Sequence, residues 1–321
     1  MRFKDMKRGN LMKKISNEIQ ILAETLTLPK VVIEQMIVQA KNILDEVFEQ
    51  YSHELMDPNK AKATAKKIDK VYEEEPFAAL AIYLYAASQS WKKIYQPLKI
   101  PRTIYLATMN AFTRFIHEHF QVTGSYRFDR GFWIWHYTSG LIFRIGELEY
   151  EMTYFPKGYT DLRLEGKQCL SLHIPSDADL SQNKIRDSYE SAIRFFELYF
   201  PDYHYQVMYT DTWLLSPNLT KWLKKESKIC LFAADYRLLS VDEQDDSGVP
   251  WIFGRVDAQI HDYPESTSLQ RQAKEQLLAG EHIGSGLGIL ALCQMMLVKR
   301  NLRIIWTEQK EENLFLFCLF G

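Results

Sequence analysis

Residues 169–187 read Cys-Leu-Ser-Leu-His-Ile-Pro-Ser-Asp-Ala-Asp-Leu-Ser-Gln-Asn-Lys-Ile-Arg-Asp, and this stretch decides the fold. An apolar run, Leu170, Leu172 and Ile174, stops at Pro175. From Lys184 to Phe200 a helical stripe takes over, carried by Tyr189, Ala192, Ile193, Phe196 and Phe200. The pattern predicts a strand, a polar loop and a helix. A helix start offers unpaired backbone N–H groups and the positive end of a dipole, so it suits an anionic cofactor. Ile174, Ser176, Ser181, Asn183 and Lys184 are the candidate residues there. The loop itself has no glycine and carries Asp177 and Asp179, whose carboxylates oppose a phosphate.

Upstream of residue 120 the chain reads as helices. Apolar residues from Ile33 to Tyr51 predict one long amphipathic helix, with Pro29 near its first turn. Asp57-Pro58 reads as the cap and first residue of a second helix. Pro76 opens a third, apolar nearly all round from Phe77 to Trp91 and therefore central. Pro101 opens a fourth, striped from Ile104 to His119.

Near Gly124 the period changes. Leu148, Tyr150, Met152 and Tyr154 alternate with Glu147, Glu149, Glu151 and Thr153, a strand with one buried and one acidic face; Gly146 marks a bend. Tyr205–Leu215 predicts a further strand, and Ser216-Pro217 a short helix. Ile229–Val241 and Val249–Val256 predict two strands joined by the acidic turn 242–248. Ser268–Leu278 closes as a helix at Gly280. The fold class is α+β: an all-helical domain over residues 1–125, then a mixed α/β domain over 126–321.

Composition narrows the partners. Formal net charge is −2, so no global electrostatic case for nucleic acid exists. A short basic segment, Arg2 to Lys14, reads as a solvated terminus rather than a signal peptide. Cys169, Cys230, Cys293 and Cys318 form no C-x-x-C and have no histidine at ligand spacing, which argues against zinc and for a reducing cytoplasm. The longest apolar run, Phe77–Ala87, is too short to span a bilayer.

Several strings carry a family resemblance: His-Tyr-Thr-Ser-Gly-Leu-Ile-Phe-Arg-Ile-Gly-Glu-Leu-Glu-Tyr-Glu at 136–151, Leu-His-Ile-Pro at 172–175, Ser-Tyr-Glu-Ser-Ala-Ile-Arg-Phe-Phe at 188–196, Trp-Leu-Leu-Ser-Pro-Asn-Leu at 213–219, Phe-Gly-Arg at 253–255 and Thr-Ser-Leu-Gln-Arg at 267–271. Over roughly residues 130–290 the chain resembles a bacterial two-domain family, in which a helical N-acyltransferase-type domain precedes a GNAT-like domain. The resemblance implies acyl-CoA as co-substrate, bound at the loop of residues 175–184, and a small-molecule amine acceptor. Cysteine spacing, net charge and the short apolar runs lead to the expectation of no metal, nucleic acid or membrane partner, and a homodimer stays open. The resemblance supplies no catalytic residue. The usual GNAT phosphate loop is glycine-rich, and this one is not. The one glycine-rich stretch, residues 281–288, reads as a loop into a terminal strand, with a phosphate loop leading into a helix at Ile289–Val298 as the weaker alternative. Beyond the resemblance, Leu314–Phe320 is an apolar end that must pack as a strand.

Transfer from a thioester to an ammonium needs a base, donors for the carbonyl and an acid for the thiolate. Glu149 and Glu151 are candidate bases, against the plainer reading of a solvated strand face. His173, beside the loop, has a suitable intrinsic pKa, against a hydrogen-bonded sheet histidine. Asp211, on a strand face with Tyr209 and Trp213, is the first candidate base, with His173 or Glu149 taking the role if Asp211→Asn keeps full activity; its plainer reading is a strand-end residue. Tyr209 is the candidate acid, against a core tyrosine. His136 and Arg144 read as structural. The rival function is a non-catalytic small-molecule-binding or sensor protein on a GNAT-like scaffold, which the glycine-free acidic loop favours.

Overall fold

The computed structural model describes residues 15–158, 163–254 and 259–291. They fall into two compact units. The first takes residues up to 153 with 172–179 and 183–203; the second takes 154–171, 180–182 and 204 onward.

The first unit opens with eight helices: α1 (15–25), α2 (Lys30–Ala40), α3 (Asp45–Leu55), α4 (Ala61–Val71), α5 (Pro76–Ser90), α6 (Arg102–Met109), α7 (Ala111–Thr123) and α8 (Gly131–Thr138). Helix α5 starts on Pro76, is buried from Phe77 through Ala87, and packs on α2, α3 and α8. It is the central helix its all-round apolar composition predicts. The single helix expected from Ile33 to Tyr51 is two. The chain turns at 41–44, Leu44 is extended at φ −71° and ψ 146°, and Asp45 and Glu46 supply the acidic first turn of α3. The apolar period runs on through the break because Ile43 is also buried. Helix α4 starts at Ala61, since Asp57 makes a turn instead: its Oδ1 accepts from the Asn59 N–H at 3.0 Å. The stripe after Pro101 is likewise split at Asn110. The helical region runs past 125, because α8 holds Trp133, Trp135 and His136.

Strands β1 (Ile142–Ile145) and β2 (Leu148–Tyr154) form an antiparallel hairpin rather than one bent strand. Gly146 turns it at φ +65°, and a Cβ there would lie 3.0 Å from Ser188 of α9 (Gln182–Tyr199). The Ser188 hydroxyl donates to the Ile145 carbonyl and so ties α9 to the hairpin. Phe143 packs against Phe195, Phe196 and Phe200.

Strand β3 (Gln168–His173), which lies in the second unit as far as Ser171, pairs parallel there with β4 (Met208–Thr212) at Leu170↔Met208 and Ser171↔Tyr209. Strand β4 pairs antiparallel with β6 (Ser285–Leu290), which pairs antiparallel with β5 (Tyr236–Asp242). The hairpin expected across 242–248 does not form. The start of Ile229–Val241 lies in helix α11 (Lys228–Ala233), whose cap Ser227 accepts from the Cys230 N–H. Val249–Phe253 is a short helix, α12, opened by Pro250 and ended by Gly254 at φ +72°. Strand β4 is also shorter than Tyr205–Leu215 and ends in a 3-10 turn, Trp213–Leu215. Helices α10 (Pro217–Trp222) and α13 (Ser268–Leu278) form as read. The glycine-rich stretch is a loop into β6. A Cβ on Gly288 would come within 2.8 Å of Leu215, so that glycine lets the 3-10 turn pack on the sheet.

The basic segment 1–14, Cys293, Cys318, most of the helix considered at 289–298 and the apolar end 314–320 lie outside the described residues. No described helix is long and apolar enough to cross a membrane.

Candidate active site

Strand β2 places two glutamates two residues apart, with very different neighbours. Glu149 is 2 % exposed. Arg114 Nη2, from α7, donates to its Oε1 at 2.9 Å, and the Tyr137 hydroxyl, from α8, donates to its Oε2 at 2.7 Å. Burial disfavours the Arg114 charge, but Glu149, Tyr137 and Asp177 around it together outweigh that and raise its pKa. Burial and then Glu149 push the Tyr137 hydroxyl well above its ordinary value. This is a closed ion pair rather than a solvated strand face.

Glu151 faces two imidazoles. Its Oε2 lies 2.9 Å from His173 Nε2, and its Oε1 3.6 Å from His136 Nε2. His173 ends β3, just before Pro175, and is half-buried. Trp133 sets its ring edge-on to His173, 5.0 Å between centroids, and also contacts His136 at 4.4 Å; Trp135 stacks on the far side of His136. The Trp133 carbonyl accepts from His136 Nδ1 at 2.8 Å, which fixes the proton there when the ring is neutral. Burial lowers the His136 pKa despite the Glu151 charge. Burial alone would raise the Glu151 pKa, but its hydrogen bond and charge interaction with His173, and then His136, bring it below the ordinary value.

Ahead of α9 the loop is pinned residue by residue. Ser176 Oγ donates to Glu118 Oε1 at 2.6 Å. Arg144 Nη1 donates to Asp177 Oδ1 at 2.6 Å. The Asp179 N–H donates to Glu147 Oε2 at 2.9 Å, and Lys184 Nζ sits 3.1 Å from Asp179 and 3.4 Å from Glu147. Both loop carboxylates therefore face a cation. Asp179 and then Glu147 raise the Lys184 pKa. Asn183 and Lys184 are exposed in the first turn of α9, while Ile174 and Ser181 are half-buried. Among the described residues no group of three or more His, Cys, Asp or Glu is placed to hold a metal ion.

In the second unit, Tyr209 is buried and meets Phe155 edge-on in an apolar cluster with Cys169, Val207, Leu287 and Ile289. Asp211 is exposed on β4, and partial desolvation, followed by the charge of Asp245, raises its pKa. The structure thus joins His173 to Glu151 and His136, and locks Glu149 into a separate knot. Sequence reading missed Arg114 altogether; its one signal is a charge inside the apolar run from Ala111 to Ile116. It also assigned His136 a structural part, though Glu151 faces it and His173 alike.

The helices, hairpin, strand-loop-helix and β4-β6-β5 order define an acyltransferase-type fold. The N-acyltransferase N-terminal domain family model matches residues 17–140, and the GNAT-like C-terminal domain model matches residues 142–290. The two domain models follow one another in that order and together match most of the chain. It is similar in fold to an acyltransferase solved in complex with decanoyl-CoA and teicoplanin: 20% identity, TM-score 0.70, covering 85% of this chain and 87% of that one. An acyltransferase in complex with decanoyl-CoA (21%, TM-score 0.69) and one in complex with CoA and 10C-teicoplanin (18%, TM-score 0.68) are similar over the same spans. No curated protein matches the chain.

Proposed function

We propose that this protein is an acyl-CoA-dependent N-acyltransferase with a small-molecule amine acceptor, and that His173 is its general base. The observation that carries the reading is the 2.9 Å pairing of His173 with Glu151, at the point where β3 leaves the sheet for the loop and α9. The similar structures hold acyl-CoA or CoA, which supports the co-substrate. The backbone amides between Ser176 and Lys184, at the start of α9, would meet its pyrophosphate. That the loop carboxylates already face Arg144 and Lys184 eases the objection raised by its acidic sequence.

In the reaction, His173 takes a proton from the acceptor ammonium, directly or through one water. The freed amine attacks the thioester carbonyl, an N–C bond forms, the C–S bond breaks, and the CoA thiolate leaves and is protonated. Glu151 holds the His173 ring and balances the charge it gains. A carboxylate so placed is more useful ionised, and its lowered pKa keeps it so. Asp211 is the alternative base, its raised pKa moving it toward neutral pH. Tyr209 is the proposed proton donor to the thiolate.

Thiol release from acyl-CoA in the presence of a panel of amines tests the activity. His173→Ala is expected to lose about two to four orders of magnitude in turnover while still binding CoA, and Asp211→Asn to retain most of it. A full loss in Asp211→Asn with activity kept in His173→Ala moves the base to Asp211. A non-catalytic binding or sensor role is the second reading; the contacts tying Ser176 and Asp177 to side chains outside the loop favour it. CoA-dependent thermal stabilisation without turnover on any amine would select it.

A further inference from the structure

Asp177 is an odd residue for a loop that meets phosphate, and its surroundings show what it does there. One of its oxygens, Oδ1, is approached by two guanidinium groups. Arg144 Nη1 lies 2.6 Å away and Arg114 Nη1 3.7 Å away. Arg144 is steadied from behind, its Nε donating to the Gly146 carbonyl at 3.2 Å. Arg114 is only 6 % exposed and spends Nη2 on Glu149 and Tyr137. Its Nη1 is buried and has no hydrogen-bond partner. A charged, buried donor without an acceptor is an unfavourable arrangement that a nearer anion would relieve. Asp177, by contrast, is about half exposed, with side-chain exposure 47 %.

A pocket of about 380 Å³ opens at the same place, lined by Thr25, Thr27, Asn110, Arg144 and Asp177 among others. Thr27 holds φ +59°, a left-handed conformation that a β-branched residue rarely takes. Backbone strain of this kind gathers at ligand sites. The pocket thus sets Thr27 and Asn110 beside Arg144 and Asp177, with Arg114 buried behind Asp177 rather than in the lining.

We propose that Arg144 and Arg114 form a phosphate-binding slot, that Asp177 fills it in the free protein, and that a phosphate of acyl-CoA displaces Asp177. The inference rests on the acyl-CoA reading above. A carboxylate offers a single oxygen to both arginines and reaches only one at hydrogen-bond distance. A phosphate has several terminal oxygens and more charge, so it can serve both. The remaining acids do not fill the slot: Glu149 is paired to Arg114 Nη2, Glu118 lies 3.6 Å from Arg114 Nε, and Glu147 lies 4.0 Å from Arg144 Nη2. Displacing Asp177 leaves Arg144 without its close partner and ready for the ligand.

Calorimetric titration of CoA and dephospho-CoA into wild type, Asp177→Asn and Arg144→Gln decides the matter. Removing the internal competitor is expected to tighten CoA binding about tenfold, and removing Arg144 to weaken it about tenfold. If the slot takes the 3′-phosphate, both differences vanish with dephospho-CoA; if it takes the pyrophosphate, both persist. Either pattern supports the slot. Asp177→Asn is an exposed loop substitution and carries the test even where Arg144→Gln fails to fold. Equal or weaker CoA binding in Asp177→Asn, with a wild-type melting curve, overturns the slot alone. A wild-type protein that binds neither ligand overturns the slot and the transferase reading together.

Discussion

Glu149 and Glu151 lie two residues apart on one strand, and their side chains leave β2 on the same face. One is buried against Arg114 and a tyrosine hydroxyl; the other lies between two histidines under a tryptophan. The difference is in what the partner can release. A guanidinium does not lose its proton in a protein, so the Glu149 pair is fixed. An imidazole gains and loses one near neutral pH, so the Glu151 cluster can move protons. The first arrangement serves the fold and the second can serve a reaction.

The largest effect should come from breaking the fixed pair. Arg114→Met leaves the Glu149 carboxylate buried with only the Tyr137 hydroxyl as an electrically neutral donor. It should lower the unfolding free energy by about 3–5 kcal/mol, read from urea denaturation. Removing both charges, in Arg114→Met with Glu149→Gln, should recover a large part of that loss, because no uncompensated charge stays buried. A single variant that unfolds at the wild-type midpoint would mean the pair is not what the distances imply.

Glu151→Gln is the matched change in the other cluster, and it should act on rate more than on stability. The amide keeps the shape and removes the charge that balances the proton His173 takes from the acceptor. Turnover is expected to fall about ten- to a hundredfold, less than in His173→Ala. A variant with wild-type turnover would leave Glu151 only a packing role.

Much of this was legible in residues alone. The strand-loop-helix of 169–200 and the buried helix after Pro76 follow from period and proline placement, which neighbours do not alter. The misreadings came where period is ambiguous. Ile43 kept the apolar stripe going through the break between α2 and α3. Val249 to Phe253 looks like a strand by composition, yet Pro250 and Gly254 bracket a helix turn, and that punctuation was the better signal. For Glu149, alternation leaves a candidate base and a solvated face both open, because it shows a face but not what covers it. Arg114 does so from a helix more than thirty residues earlier. His173 was found by its place beside the loop, whereas its pairing with Glu151 needed the coordinates.

The smallest effect separates His136 from Glu151 by pH. Burial lowers the His136 pKa in the folded protein below its ordinary value of 6.5. Between the folded value and 6.5 the unfolded chain binds more protons than the native one, so stability rises with pH across that window and levels off above it. For Glu151 the folded pKa lies below 4.5, so its contribution is present above 4.5 and is lost as pH falls through the folded value. The Glu151 window lies wholly below pH 4.5, whereas the His136 window reaches up to 6.5, so just below 6.5 only His136 contributes. His136→Asn should therefore flatten the stability profile just below pH 6.5 and leave the more acidic limb in place, while Glu151→Gln should remove part of the acidic limb. Urea midpoints measured from pH 2 to 8 on the three proteins check this. An unchanged slope near 6.5 in His136→Asn would show that the ring is not held neutral by its burial beside Trp133 and Trp135.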